Sequence, residues 1–540
     1  MEKTWATYGS DLHLDLPAGG TTGVRAALIG ALRDAVRTGR LAPGTRLPSS
    51  RSLAADLGLA RNTVADAYAE LVAEGWLMAR QGSGTRVADR STGAVPAARA
   101  TGTAPARGAS RSAPEGRTSR TAPADRASRS APADQASRGA PADRVSRSAP
   151  AVRRAGGDRS GPTAGPAPRT GAAHNLFPGS PDPGSFPRTA WLAASRRALQ
   201  AAPATAFGYG DPRGRPELRE ALAGYLARAR GVLAEPERIV VCSGFVHGLR
   251  LLAEVLRRSG TSGVAVEGYG LDVHRRILTG AGLRTPPLTV DERGGCTEEL
   301  ADLPGTGAVL LTPAHQFPTG VPLHPERRAA VVDWARRTGG LVVEDDYDGE
   351  FRYDRQPVGA LQGLDPERVV YVGTASKSLA PGLRLGWMVL PDHLVEPVVE
   401  AKGGVEWQAS ALDQLTLAEF IASGAFDRHV RGMRLRYRRR RDQLVSVLAA
   451  RAPHLRVTGI AAGLHAVLEL PTGTERSVIG AAAAWHGLAL DGLGRYRHED
   501  AETAGAGRPD AGPDALVVGY GTPPDHAFSG ALDALCAALP

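Results

Sequence analysis

Between Asp89 and Thr170 the sequence is built from Ala, Pro, Arg, Ser and Gly, with almost no aromatic or β-branched bulk. Such a stretch cannot bury enough apolar surface to offset the entropy lost on ordering, so no core can run through it. It contains a nine-residue repeat, SRTAPADRA, SRSAPADQA, SRGAPADRV and SRSAPA from Ser119 to Ala151, after a looser copy SRSAPEGRT at Ser110. These units are too short and too polar to stack as a solenoid. Residues 89–172 are therefore expected to be a disordered, semi-extended tether. Asp125, Asp134 and Asp143 dilute the charge of its arginines, which favours a spacer over a DNA-gripping arm. At 540 residues the chain is also too long for one core. The expected division is 12–88, the tether 89–172, and 173–540.

In the first region Val24, Ala27, Leu28, Ala31, Leu32, Ala35 and Val36 recur at helical spacing, and Gly39 with Pro43-Gly44 ends the helix. A second, short helix follows a serine cap in Pro48-Ser49-Ser50-Arg51 and buries Leu53, Ala54 and Leu57. After Gly58 a third begins near Arg61 and buries Val64, Tyr68, Leu71 and Val72, leaving its polar first turn free for a groove. Gly75-Trp76-Leu77 and Gln81 to Val87 pattern as a two-stranded wing. A net charge of +9 makes a polyanionic partner plausible without proving one.

The third region alternates apolar strand runs with helical patterns, as an α/β domain with a mostly parallel sheet requires. Leu341-Val342-Val343 leads into Glu344-Asp345-Asp346, and Val369 to Val372 leads into Gly373-Thr374-Ala375-Ser376-Lys377. The chain has only three lysines, Lys3, Lys377 and Lys402, arginine carrying the charge elsewhere. A lysine kept at such a place suggests chemistry that a guanidinium cannot perform. Pyridoxal 5'-phosphate needs a lysine for a Schiff base and a carboxylate at the pyridine nitrogen, and Lys377 with Asp345 offers both. Arg238 to Cys242 feeds Ser243-Gly244-Phe245-Val246-His247 at a helix start, a turn that can cradle a phosphate. Cys242, Cys296 and Cys536 have no metal-ligand spacing, no apolar run reaches spanning length, and no basic-then-apolar leader opens the sequence. The expectation is a reduced, cytoplasmic protein without structural metal or membrane segment.

RLPSSRSLAADLGLARNTVADAYAELVAEGWL and GSGT resemble the winged helix-turn-helix of the GntR family of transcription regulators. That resemblance implies double-stranded operator DNA as partner, with Arg51, Arg61 and Thr63 as contacts and Ser49 and Gly82 against the backbone. VEDDYDGEFRY and GTASKSLAPGLRLGW are similar to fold-type I aminotransferases. From that likeness Asp345 would pair with the ring nitrogen, Tyr347 with the ring hydroxyl, and Thr374, Ser376 and Arg384 with phosphate. Tyr269 would stack on the ring, and Gln316 or His315, in Thr312-Pro313-Ala314-His315-Gln316, would lie near the ring oxygen. Tyr209 resembles the tyrosine that reaches the phosphate of the neighbouring subunit, which implies a homodimer. Joined in one chain, the two resemblances identify the MocR-like subgroup of GntR regulators.

Two functions stay open at this point. One is a ligand-responsive regulator in which pyridoxal phosphate, or an amino compound, is sensed with little or no turnover. The other is an active transaminase carrying a DNA-binding module. The last core strand, Ala515 to Tyr520, lacks the arginine that ordinary aminotransferases use for a substrate carboxylate, and the nearest candidate is Arg495, with Arg497 next. The basic run Arg428 to Arg441 is expected to be the solvated face of a long helix.

Overall fold

A computed structural model describes residues 14, 24–37, 40–41, 44–73, 76–80, 84–88, 172–353, 359–403, 409–502 and 513–540. The tether, its repeats and Gly82 lie outside the described residues.

In the N-terminal region α1 (Val24–Arg37), α2 (Ser50–Leu57) and α3 (Arg61–Ala73) are followed by an antiparallel pair, β1 (Leu77–Arg80) and β2 (Gly84–Val87). Ser49 caps α2 from an extended conformation, its Oγ accepting from the Ser52 amide at 3.0 Å. Gly58 ends α2 at φ 67°, the left-handed geometry that glycine enters at least cost. Leu28, Leu32, Leu53, Val64, Tyr68, Leu71, Leu77 and Val87 form one small core. Tyr68 satisfies its buried hydroxyl by donating to the Pro48 carbonyl at 3.0 Å.

The C-terminal region runs through α4 (Arg188–Ala201), α5 (Pro216–Arg230), β3 (Ile239–Cys242), α6 (Phe245–Arg258), β4 (Gly263–Glu267), α7 (Asp272–Gly280), β5 (Pro287–Leu288), β6 (Thr306–Leu311), α8 (Pro325–Thr338), β7 (Leu341–Asp346), β8 (Val369–Thr374) and β9 (Gly386–Val389). After α9 (Asp392–Gly403), α10 (Ala411–Ala422) and the long α11 (Ala425–Arg451) come β10 (Val457–Thr458), β11 (His465–Glu469), α12 (Glu475–Trp485), β12 (Asp491–Gly492), β13 (Ala515–Gly519) and α13 (Asp525–Ala538).

Seven strands form the main sheet in the order β3-β9-β8-β7-β6-β4-β5. β9 is antiparallel to both its neighbours, and the remaining pairs are parallel. Both faces are covered, which is why the central strands read as unbroken apolar runs rather than alternating ones. Leu341, Val343, Val370 and Val372 pack with Leu252 and Val398 on one side. Val342 and Val369 pack with Val331 and Trp334 on the other. A four-stranded antiparallel sheet, β10-β11-β13-β12, belongs to the C-terminal part.

Two expectations need correction. The acids Glu344, Asp345 and Asp346 do not follow a strand; they are its last three residues, all buried. The arginines of α11 are not merely a solvated face. Arg436 reaches Asp182 at 2.7 Å and Asp525 at 2.9 Å, Arg440 reaches Asp525 and the Tyr520 carbonyl, and Arg434 donates to the Glu350 carbonyl. A helix this basic survives beside the core because Asp182 and Asp525 offset its charge and distant carbonyls accept from its guanidinium groups.

Candidate functional site: the carboxyl ends of β6, β7 and β8

Ligands of open α/β sheets gather at the carboxyl ends of the strands, and β6, β7 and β8 deliver this site there. Side chains alternate across a strand, so Asp345 faces opposite to Glu344 and Asp346. Glu344 accepts from the amides of Leu361 at 2.8 Å and Gln362 at 3.0 Å. Asp346 is gripped by Arg230 and by the Tyr371 hydroxyl, the latter at 2.8 Å. Both neighbours are thus tied into the fold, whereas Asp345 Oδ1 is buried without a hydrogen-bond partner.

Burial pushes the Asp345 carboxyl well above its usual range, opposed by Lys377 and reinforced by Asp346, Asp348 and Glu267. Burial likewise holds the Lys377 amine below its ordinary value, opposed by Asp345 and Asp348. Desolvation disfavours the charged form of each group, so the pair rests less charged than in water. Lys377 Nζ donates to the Gly179 carbonyl, and a Cβ at Gly179, whose φ is +83°, would stand 3.9 Å from that nitrogen.

One end of the site is built for an anion. Gly244 caps the 14-residue helix α6 at φ 86°, and a Cβ there would come 3.1 Å from Arg384 Nη1. Arg384, itself left-handed at φ 52°, donates to the Ser243 carbonyl. Thr374 Oγ1 accepts from the Ser376 amide at 3.0 Å, shaping the turn before Lys377. His247 Nδ1 accepts from the Ser243 amide at 3.0 Å. Free N–H groups at a helix start beside a guanidinium suit a phosphate. The residues present therefore fit pyridoxal phosphate at both ends: an orphaned carboxylate for a cationic ring nitrogen, and a glycine-lined anion cradle.

Other expected residues lie differently. Gln316 spends its amide on backbone and loop groups, donating to the Phe317 carbonyl of its own loop and to the Tyr269 carbonyl after β4, and accepting from Thr319. His315, by contrast, is buried beside Tyr347 and Asp348. Tyr269 packs with Leu271 and Phe317 on a cluster containing Val467 and Tyr496. Arg495 is held by Asp491 at 2.8 Å on the same short segment. Tyr209 is 97% exposed and so meets little of its own chain.

Three participants carry no sequence signal that would have singled them out. His274 packs tilted against Phe245, ring centroids 4.6 Å apart, and burial, Arg275 and Lys377 together hold its imidazole down to about 3. Asp348 reaches the site because the chain turns back immediately after β7. His429 of α11 donates through Nε2 to the carbonyl of Ser378, the residue after Lys377, at 2.8 Å, and two residues on Arg431 lies 3.7 Å from Asp56 of α2.

In the N-terminal region Arg51 and Arg61 are exposed and Thr63 is half-buried, all on α2 or the first turn of α3, while the Ser49 hydroxyl is engaged in its cap. Among the described residues no helix is long and apolar enough to cross a membrane, and no cluster of His, Cys, Asp and Glu could hold a metal.

Residues 24–87 match the family described as bacterial regulatory proteins, gntR family, and residues 179–479 match aminotransferase class I and II. The chain is 32% identical over 472 residues to the probable rhizopine catabolism regulatory protein MocR of Rhizobium meliloti, covering 86% of this chain and 85% of that one. It is 30% identical over 460 residues to the pyridoxine biosynthesis regulator PdxR of Corynebacterium glutamicum, covering 85% and 86%. Among solved structures, an archaeal alanine:glyoxylate aminotransferase superposes with TM-score 0.61 at 25% identity, covering 67% of this chain and 90% of that one. With a helix-turn-helix region joined to an aminotransferase fold, and a likeness to two regulators that spans both, the chain belongs to the MocR-like subgroup of the GntR transcription regulators.

Proposed function

We propose that the large domain of this regulator, residues 173–540, holds pyridoxal 5'-phosphate on Lys377 as a sensor, and that residues 12–88 bind double-stranded operator DNA under its control across the tether 89–172. The observation that carries this reading is the buried, partnerless Oδ1 of Asp345, with Lys377 close enough to oppose the rise of its pKa. Bound there, the cofactor would supply an aldehyde that condenses with amines and a ring that disperses negative charge. In this assignment Asp345 holds the ring nitrogen and Tyr347 the ring oxygen. Ser243, Gly244, Phe245, Thr374, Ser376 and Arg384 hold the phosphate, while Tyr269 and Gln316 border the ring.

The exposed Tyr209 supports a homodimer in which it completes the partner's phosphate site. The effector is the cofactor itself or a small amino compound that displaces Lys377, and the likeness to a pyridoxine biosynthesis regulator favours the former. A ligand carboxylate would fall to Arg495 only if that side chain left Asp491, which supports sensing over sustained turnover. Operator binding places the protein in the cytoplasm.

Titration of purified protein with pyridoxal phosphate tests the reading. A visible band that appears in wild type, is trapped by borohydride and is lost in Lys377→Ala is the expected result. A band and trapped adduct that persist in Lys377→Ala would refute it.

A further inference from the structure

The Tyr347 hydroxyl is not free to donate in every direction. Its oxygen stands 3.0 Å from His315 Nδ1, and the same nitrogen stands 2.9 Å from Asp348 Oδ2. A carboxylate accepts, so Nδ1 carries a proton aimed at Asp348. Tyr347 can share that proton as a second acceptor but cannot donate to it, so its own proton points elsewhere, and the Asp348 carboxylate is also within its hydrogen-bonding reach.

The pair is built into the fold. His315 and Asp348 are each 2% exposed, and Gly463, at φ +69°, leaves the room they occupy. A Cβ at Gly463 would come 2.4 Å from both Asp348 Oδ2 and His315 Cε1. On the other side of the imidazole, His465 of β11 lies with its ring centroid 5.0 Å away and donates through Nε2 to the Pro318 carbonyl at 3.0 Å. Burial and His315 hold His465 down to about 3, so it stays neutral. Among the described residues, the other charged or titratable groups that face the cluster are Asp345, Glu267, Lys377, Glu350, Tyr353 and Tyr520. Burial, with Asp348 the foremost neighbour, pushes the Tyr347 phenol well above its usual range, so it remains a proton donor.

We propose that the buried His315–Asp348 pair is a positioning device in which His315 competes with Tyr347 for Asp348 and thereby shifts the Tyr347 hydroxyl proton toward the ring oxygen of the bound cofactor. This rests on the reading that the site holds pyridoxal phosphate. Without His315, Asp348 becomes the strongest acceptor within reach of Tyr347, and the hydroxyl turns away from the ring. A donor to the ring oxygen favours the state in which that oxygen carries most negative charge, which is the deprotonated one. Loss of the donor therefore raises the pH midpoint of the visible band.

The test is a pH titration of that band in cofactor-loaded wild type, His315→Phe, His315→Asn, Tyr347→Phe and the double variant His315→Phe/Tyr347→Phe. His315→Phe should move the midpoint upward by about one pH unit, the worth of one hydrogen bond. His315→Asn, which keeps a donor near the Nδ1 position, should restore most of it. The double variant should titrate like Tyr347→Phe alone, because the histidine acts through the tyrosine. An unmoved midpoint in His315→Phe, an equal shift in His315→Asn, or additive shifts in the double variant would overturn the proposal. Should His315→Phe not fold, His315→Leu, which also removes the Nδ1 donor, takes its place with the same expected upward shift and the same Tyr347→Phe background. Absence of any Lys377-dependent band in wild type would instead overturn the cofactor reading, so the two failures are distinguishable.

Discussion

Arg230 forks onto Asp346, Nε 2.7 Å from Oδ2 and Nη2 3.0 Å from Oδ1, with both side chains almost fully buried. The fork joins the end of α5 to the end of β7 and fixes the strand whose other face carries Asp345. Removing one partner of a buried ion pair leaves an uncompensated charge, at a cost of about 3–5 kcal/mol. Arg230→Met should therefore lower the urea midpoint of the large domain strongly and weaken cofactor binding with it. A loss under about 1 kcal/mol, the value of an exposed pair, would show that the fork is incidental.

The carboxyl of Glu344 is raised by burial, and next by Asp346, from the ordinary 4.5 to about 7. An acid whose folded-state value is raised costs stability as pH climbs from its unfolded value toward its folded one, because the native state retains the proton longer. Buried His274 and His465, both held down to about 3, act in the opposite sense, so wild type alone is uninformative. The difference between Glu344→Gln and wild type isolates the group. The variant should gain relative stability between about pH 4.5 and 7 and hold a constant difference above that. A pH-independent difference in Tm would contradict the assignment.

Arg61 is exposed on the first turn of α3, the position that the proposed operator binding would bring to a major groove. Arg61→Ala should cost about 1–3 kcal/mol at the cognate operator if it reads a guanine, and little at unrelated DNA. Arg51→Ala should weaken both alike and reduce the salt slope of log K by about one. Salt-insensitive binding measured by anisotropy would exclude this mode.

Tyr209→Ala should weaken cofactor binding, and so should Lys377→Ala, yet their mixture should not behave as their average. If Tyr209 completes the partner's site, a dimer of one chain of each variant contains one intact site. Mixed dimers should then recover about half of the wild-type visible band at wild-type affinity, counted by cofactor titration. No recovery would mean that each chain completes its own site.

Much of this was legible in the sequence, for reasons that particular residues make plain. The cap at Ser49, the turn at Gly58 and the buried faces of α1 and α3 follow from local chemistry and helical period, and they formed as expected except that Val24, at the open first turn of α1, is exposed. Asp345 and Lys377 were identifiable because each follows an apolar run on adjacent strands. The extension of β7 through Asp346 was not, since three consecutive acids read as a turn until their partners are known. Those partners, Arg230 for Asp346 and the Leu361 and Gln362 amides for Glu344, are remote in sequence. The same holds for Arg436 with Asp182 and for His429 with Ser378: no periodicity encodes contacts between distant segments. Gln316 and His315 are adjacent, and which of them faces Tyr347 is decided by the path of a loop.

The central claim is that the state of the Lys377 site governs operator affinity. His429 and Arg431 place one turn of α11 against both Ser378, beside that lysine, and Asp56 of the reader, so a change at one end has a route to the other. Coupling of this kind is a difference in binding free energy between states and can be read directly. The measurement is operator affinity, by footprinting across half-site spacings, for cofactor-free protein, cofactor-loaded protein and Lys377→Ala with cofactor present. The account predicts that loading changes affinity or preferred spacing by about 5-fold or more and that Lys377→Ala behaves as cofactor-free whatever is added. Identical footprints and affinities in all three states would contradict it.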